Sequence, residues 1–490
     1  MTSPAASPPP RRQFYRNWLT LTGLVVMVAS LFAFLLLFVM DSLARGSNPY
    51  IGVLTYLVAP IFTTMGLVLV AVGLWLARRK LIRSPQGRPG SLVIDLARPR
   101  DRRLLGGFIL ASVVFLLITA IGSYHSYHFT ESVTFCGEAC HTVMEPEKVR
   151  YEHSVHARVS CAECHIGPGA SWFVRSKLSG LYQVYAAAAN KYPRPVPTPI
   201  RNLRPAQDTC EQCHWPQKFS GNIVKTYRHF LSDEENTEYS VRLLLRVGGG
   251  DPQRHHEGGI HWHINNHVEY VAADDKRLKI PWVRYRDERG ELVEYRAKDF
   301  TNDLAGMEIR KMDCMDCHNR PSHRYETPNE AVDLALANGR LDRTLPSIRA
   351  KATELLVQKY PTVQAALDQI EKELQAAYPD DARTRTAVAA VQEIYRQNFF
   401  PLMNADWRAY PEHIGHKDWP GCFRCHDDQH LSADGTRKIT FTDCNTCHVI
   451  LAQGTEAELE NLSGAGQPFK HPEDEYDPAY LCNDCHDGGP

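Results

Sequence analysis

The chain has 490 residues, with 55 Lys and Arg against 56 Asp and Glu, so its formal net charge at pH 7 is −1. This balance argues against a nucleic-acid partner, because nucleic-acid-binding proteins carry a marked excess of basic residues. The length corresponds to about three domains, and the apolar residues are concentrated in the first 125 positions.

Three apolar segments near the N-terminus predict a membrane domain of three transmembrane helices at residues 18–123. Residues 18–40 are uncharged and strongly apolar, residues 51–77 are apolar around Pro60, and residues 104–123 form the third segment. Each segment is long enough to cross a bilayer, which takes roughly 20 apolar residues. We interpret the first as an uncleaved anchor, because its apolar run is too long for the core of a signal peptide.

Basic residues predict the orientation of these helices. Residues 1–17 contain three arginines and no acidic residue, and residues 78–103 contain nine Lys and Arg against two acidic residues. The positive-inside rule puts both segments in the cytoplasm. The third helix then ends on the outer side, which predicts a multi-pass protein of the cytoplasmic (inner) membrane whose remaining chain is periplasmic.

All fourteen cysteines fall in seven motifs that end in histidine. Motif 1 is C-x-x-x-C-H, and motifs 2 to 7 are C-x-x-C-H, in which two thiols attach to a porphyrin and the histidine ligates its iron. Seven disulfides would not place a histidine after every second cysteine, so the motifs predict seven covalently bound haem c groups. In chain order they are Cys136/Cys140/His141, Cys161/Cys164/His165, Cys210/Cys213/His214, Cys314/Cys317/His318, Cys422/Cys425/His426, Cys444/Cys447/His448 and Cys482/Cys485/His486.

A second axial ligand is expected for each haem iron, and fifteen histidines lie outside the motifs. Two imidazoles keep iron low-spin and closed to substrates, which suits electron transfer. In the segment GIHWHINNH we expect two ligands, His261 and either His263 or His267. The full set of candidates is His156, His229, His261, His263, His267, His323, His416, His430 and His471.

The fold class predicted after the membrane helices is a mixed, loop-rich multihaem cytochrome c, packed around its haems. Residues 124–325 are predicted as a tetrahaem domain with a strand-rich insertion at 220–310. Residues 326–400 are predicted as a helical spacer and residues 401–490 as a C-terminal trihaem domain. Apolar residues at helical spacing in 171–192 predict a helix that lies at the membrane surface.

The sequence around motifs 1 to 4 resembles the NapC/NirT family of membrane-anchored quinol dehydrogenases. The resemblance covers residues 104–325 and rests on the stretches FCGEACHTVMEPE, SVHARVSCAECHIGPGASWFVRSKLSG, TCEQCHWP and MDCMDCHNRPSH. Three spans with seven motifs resemble a narrower group, the seven-haem inner-membrane cytochromes of the ImcH type.

The resemblance implies a quinol dehydrogenase that oxidises menaquinol from the membrane pool and passes electrons to soluble periplasmic multihaem cytochromes in anaerobic or extracellular respiration. It implies that Met144 is an axial ligand of the first haem and that Lys177 lines the quinol pocket. Motif 1 departs from the family by an extra residue between its cysteines and another before Met144. An expected aspartate beyond Lys177 is missing as well, which leaves the proton acceptor open.

Two other functions stay open at this point. A multihaem terminal reductase for nitrite, hydroxylamine or tetrathionate needs an iron with an open site, often marked by C-x-x-C-K, and the sequence has no such motif. A non-catalytic, membrane-anchored electron wire for a partner quinol oxidase would not need Lys177 or Met144. A homo-oligomer or a membrane complex is compatible with each of these functions.

Overall fold

The computed structural model describes residues 17–43, 58–83, 95–138, 141–167, 170–200, 203–251, 256–287, 289–379, 381–442, 444–472, 477 and 480–489. The chain divides into two compact units. Unit 1 is Met1–Ala139 with Ser160–Ala188, and unit 2 is Cys140–Val159 with Ala189–Pro490.

Unit 1 begins with two helices, Trp18–Leu43 and Ala59–Arg83, that are long and apolar enough to cross a membrane. They agree with the first two predicted spans, although residues 51–57 of the second lie outside the described residues. A third helix, Pro99–Thr130, contains the third predicted span. Its crossing of the membrane stays a prediction, as does the orientation, which depends partly on residues outside the described ranges (1–16 and 84–94).

The first two helices are in close contact because small residues lie where they meet. A Cβ atom added to Gly66 would come within 2.7 Å of the backbone nitrogen of Met27. The hydroxyl of Ser30 donates a hydrogen bond to the Ala59 carbonyl at 2.5 Å. Large apolar side chains point outward instead, and Phe32 is 68% exposed. Small residues between helices and apolar side chains around them are the arrangement that membrane-spanning helices use.

In unit 2 the region predicted as a helical spacer forms a hydrophobic core of its own. Its amphipathic helices bury one face against each other; on Val363–Ala377 that face is Ala366, Leu367, Ile370 and Leu374. Val143 and Val149 of a further helix pack against this core. The helices concerned are His141–Glu152, Pro328–Ala337, Ile348–Val357, Val363–Ala377 and Thr384–Asn398. This core therefore fixes the helix that starts at the histidine of motif 1.

The predicted strand-rich insertion is confirmed, and strands from the C-terminal region complete its antiparallel sheets. The sheet orders are β1-β2-β11, β10-β9-β7-β6-β5-β8 and β3-β4. The strands are β1 Asn222–Phe230, β2 Glu238–Arg246, β3 Gly249–Asp251, β4 His256–Gly258, β5 Glu269–Val271, β6 Trp282–Arg286, β7 Leu292–Ala297, β8 Arg310–Lys311, β9 His430–Ser432, β10 Lys438–Ile439 and β11 His448–Gly454. Pairing of β9 with β7 and of β11 with β2 holds the last motifs beside the insertion.

Candidate haem-binding sites

The described motifs lie on short helical turns, which explains the spacing of their cysteines. Two residues three positions apart lie on the same face of such a turn, so both thiols are presented side by side. The motif histidine closes the turn: its backbone N–H donates to the carbonyl of the first cysteine, at 2.7 Å in motif 4 and 2.8 Å in motif 3. Cys140 and the side chain of His141 lie outside the described residues. The turns are Cys161–His165, Cys210–Gln212, Cys314–Cys317, Gly421–Arg424, Cys444–Thr446 and Cys482–Cys485.

The second cysteines of motifs 2, 3 and 6 differ in their placement, which the uniform spacing of the motifs did not predict. Cys164 lies inside its helical turn and is half-buried, whereas Cys213 and Cys447 each lie one residue beyond the end of a 3-10 turn. Backbone hydrogen bonds still tie these two to the first cysteine, from Cys213 to Cys210 at 3.1 Å and from Cys447 to Cys444 at 3.2 Å. Cys213 is exposed and Cys447 is half-buried. Haem attachment at Cys164, Cys213 and Cys447, as at the other motif cysteines, stays a prediction.

In motifs 3 to 7 the motif histidine lies beside a second histidine ring. A metal bonded to both rings at about 2 Å would hold the ring centres roughly 6 Å apart. The observed separations fit a single iron between each pair, so the residues present suit the group that the motifs predict. The pairs are His156 with His214 at 6.2 Å, His261 with His318 at 6.4 Å, His263 with His426 at 5.9 Å, His416 with His448 at 6.1 Å, and His471 with His486 at 6.1 Å.

The planes of these rings fall into two classes. Two pairs are close to perpendicular, with interplanar angles of 80° at motif 3 and 79° at motif 5. The other three are closer to parallel, with angles of 6° at motif 4, 27° at motif 6 and 35° at motif 7. The angle between the rings affects the splitting of the iron d orbitals. Both imidazoles donate electron density into these orbitals, and parallel rings act on the same one.

Hydrogen bonds to backbone carbonyls fix four of these rings through Nδ1. Histidines that bind metals usually donate their second ring N–H to a carbonyl or carboxylate, which sets the tautomer and the ring orientation. The bonds run from His156 to Pro321 at 3.3 Å, from His261 to Val247 at 2.7 Å, from His263 to Ile260 at 3.0 Å, and from His426 to Thr440 at 3.4 Å.

Comparison with known proteins gives the family. Residues 98–196 match the N-terminal region of the NapC/NirT cytochrome c family. The chain is also 43% identical over 485 residues to the cytochrome c-type protein ImcH of Geobacter sulfurreducens, a match that covers 96% of this chain and 95% of that protein. The chain belongs to the NapC/NirT cytochrome c family. No solved structure matches it.

Membership confirms the resemblance found in the sequence and makes this a membrane-anchored electron-transfer protein with covalently bound haem c. In this NapC/NirT cytochrome, Met144 is half-buried on the helix His141–Glu152, three residues after His141 and therefore near the same helix face. Lys177 lies on the helix Ala170–Ala188, and its side chain is outside the described residues. Leu178, the next residue, is 64% exposed.

Three of the histidines singled out from the sequence have other surroundings. His430 is buried, and both of its ring nitrogens are engaged, by Asp427 at 2.8 Å and by the Ile280 carbonyl at 2.6 Å. In this arrangement its ring offers no nitrogen to an iron. His229 pairs with Asp333 at 3.2 Å, and His267 is exposed in a turn with a backbone φ of 51°.

His323 lies in a polar cluster beside the helix that follows motif 1. Its Nδ1 donates to the Glu147 carbonyl at 2.9 Å. The Glu147 carboxylate is held by both of its oxygens in an ion pair with Arg320, at 2.9 and 2.8 Å. His323 stays a candidate ligand, whose backbone hydrogen bond has the same form as those of the paired rings.

Charged residues between the motif cysteines form a buried network that reasoning from the sequence did not find. Asp316, inside motif 4, accepts hydrogen bonds from the Tyr270 hydroxyl and from Arg277, each at 2.5 Å. Arg424, inside motif 5, donates to the Asp316 carbonyl at 2.9 Å and to the Arg277 carbonyl at 3.0 Å. The sequence does carry a signal for this network. Each of the two motifs has a charged residue between its cysteines, Asp316 in CMDC and Arg424 in CFRC.

The protein environment also shifts the pKa values of several motif thiols. Burial raises the pKa of Cys317 to about 12 and that of Cys425 to about 12. In unit 1, a hydrogen bond with the Cys136 thiol lowers the pKa of Cys161 to about 7. In unit 2, a hydrogen bond with the Cys210 thiol lowers the pKa of Cys314.

Proposed function

We propose that this chain is an inner-membrane cytochrome with seven haem c groups that oxidises menaquinol and passes the electrons to soluble periplasmic multihaem cytochromes. The observation that carries the proposal is the set of five histidine ring pairs, each spaced for one iron and each containing a motif histidine. Two imidazoles on one iron leave no position for a substrate, so these sites favour electron transfer over a terminal reductase.

At motifs 3 to 7 the chain's own residues would hold the haem in three ways. Two thiols of a motif would attach the porphyrin, the motif histidine would bind one face of the iron, and the paired histidine would bind the other. At four of these rings, a hydrogen bond from Nδ1 to a backbone carbonyl reserves Nε2 for the iron. For the first haem we propose Met144 as a ligand. When bound, haem c supplies an iron that gains and loses one electron at a time.

The quinol site is proposed at the helix Ala170–Ala188. This helix exposes large apolar side chains, among them Leu178 and Tyr182 at 64% and 66% exposure, as expected for a helix at a lipid surface. In the proposed arrangement Lys177 donates a hydrogen bond to a quinol oxygen and positions the ring. Menaquinol then loses two electrons and two protons and becomes menaquinone, and the protons are released on the periplasmic side.

Haem content and electron paramagnetic resonance (EPR) of the oxidised, detergent-solubilised protein test this proposal. Mass spectrometry should give a chain with seven haems. The EPR spectrum should contain two classes of low-spin signal, because parallel imidazole planes split the iron d orbitals more strongly than perpendicular planes. Fewer than seven haems, or a dominant high-spin signal that changes when nitrite is added, would contradict the proposed ligation and favour a reductase.

A further inference from the structure

We propose that the haems of motifs 4 and 5 are neighbours, and that His261 and His263, from one turn, join the fourth haem to the fifth. The inference rests on the proposed function, since it takes the paired rings as iron ligands. It goes further by naming the neighbour of the fourth haem and a role for the strand-rich insertion.

The segment that joins the two haem sites is the turn at His261, which leads into the short helix Trp262–Asn265. The ring of His261 lies beside His318 of motif 4, whereas the ring of His263 lies beside His426 of motif 5. The two rings therefore belong to two different sites although their residues are only two positions apart. Each ring has its own backbone carbonyl at Nδ1, so the two orientations are fixed separately.

Packing holds this turn in place between the two motifs. Trp262 packs edge-to-face on Tyr285 of β6, with ring centroids 5.2 Å apart. Trp262 and Cys425 of motif 5 both pack against the core of Val268, Tyr270, Ile280, Val283 and Met312. The turn is thus part of a built core and not a surface loop that happens to carry histidines.

Motifs 4 and 5 are also fixed directly to each other. Arg424, between the cysteines of motif 5, donates to the carbonyl of Asp316, between the cysteines of motif 4, at 2.9 Å. It also donates to the carbonyl of Arg277, whose guanidinium pairs with the Asp316 carboxylate. Two independent sets of contacts, the shared turn and this network, therefore make the fourth and fifth haems neighbours.

Motif 5 also contacts the partner histidine of motif 6. Phe423 of motif 5 stacks on His416, the partner of motif 6, with centroids 4.1 Å apart and planes inclined by 17°.

The test compares the full-length holoprotein with His261→Met, His263→Met and the double variant, by haem count and EPR. Methionine can replace an imidazole as a haem ligand, so we expect the variants to fold. We expect His261→Met to remove one signal of the parallel class, since its pair is inclined by 6°. His263→Met should remove one signal of the perpendicular class, since its pair is inclined by 79°. The double variant should lose both signals, and all variants should keep seven haems.

His267→Asn is the matched control, four residues beyond His263 in the same segment. Asparagine tolerates the left-handed backbone at this position, where φ is 51°. The control should leave every low-spin signal unchanged. If His267→Asn removes a low-spin signal while His263→Met does not, the ligand of the fifth haem is assigned to the wrong histidine.

The inference is overturned if the double variant alters only one haem, because one iron would then account for both histidines. If a variant does not accumulate, a structure of the wild-type holoprotein decides the same point: His261 and His263 must bond two different irons. A wild-type protein with fewer than seven haems would instead count against the proposed function. If the wild type has seven haems that quinol reduces, but the double variant alters a single signal, the proposed function stands. The assignment of His261 and His263 to two haems is then wrong.

Discussion

Asp316 shows how a single side chain inside a haem motif is tied to its surroundings. Only 3% of its side chain is exposed, and it accepts hydrogen bonds from Tyr270 and Arg277. Burial and the neighbouring negative charge raise the pKa of Tyr270, so its hydroxyl stays a donor to Asp316. The motif turn, a strand and the loop that bears Arg277 are therefore held by one carboxylate.

We predict that Asp316→Asn lowers the free energy of unfolding by about 3 kcal/mol, because it leaves the Arg277 guanidinium buried without its counter-charge. Thermal unfolding followed by circular dichroism measures the loss. Asp275→Asn is the control, since Asp275 lies exposed in a turn and its replacement should leave the midpoint unchanged. Equal midpoints for the wild type and Asp316→Asn would contradict a structural role for this network.

The sequence predicts the local parts of the sites and not the distant pairings. Two thiols and a histidine within five positions need only one helical turn, so the motifs could be recognised directly. Distal ligands depend on the fold: His416 lies six residues before motif 5, yet its ring pairs with His448 of motif 6. His430 is as close to motif 5 in sequence, but Asp427 and a backbone carbonyl occupy both of its ring nitrogens.

Among the secondary-structure elements, the first two helices are specified most directly by their composition. The structure places Trp18–Leu43 and Ala59–Arg83 where the apolar segments predict them. Their contact depends on glycine, because a Cβ on Gly66 would lie 2.7 Å from a backbone nitrogen of the facing helix. Backbone atoms cannot move aside in the way a flexible side chain can.

Gly66→Leu should therefore force the two helices apart, at a cost of about 3 kcal/mol in the stability of the pair. The measurement is the thermal midpoint in detergent, with Ala71→Leu as the control because Ala71 is exposed on the second helix. We expect a lower midpoint for Gly66→Leu alone. Equal midpoints for the two variants would mean that the helices do not pack through Gly66.

The sheets were harder to foresee than the helices. Alternating patterns in 220–310 predict strands, but they do not show that β9 pairs with β7 or β11 with β2. These partners are separated by more than a hundred residues, and such pairing depends on which edges the folded chain leaves available. The helical region 326–400 has a role that its pattern did not reveal, since it anchors the helix that carries His141 and Met144.

At the scale of the whole molecule, we propose that electrons enter from quinol in the membrane. Exposed apolar side chains on Ala170–Ala188 suit a quinol site at the lipid surface, and in unit 2 the turn at His261 brings motif 4 beside motif 5. The relative, ImcH of Geobacter sulfurreducens, matches this chain over 95% of its own length. The central claim is that quinol is the electron donor of this protein.

The most direct test mixes the oxidised, detergent-solubilised protein with a menaquinol analogue without oxygen and follows the reduced haem bands. We predict fast reduction in the wild type, and reduction at least roughly tenfold slower in Lys177→Ala, because one charge-assisted hydrogen bond to the quinol is lost. Lys191→Ala, just beyond the same helix, should behave as the wild type. The account is contradicted if quinol leaves the haems oxidised while nitrite or tetrathionate rapidly reoxidises the dithionite-reduced protein.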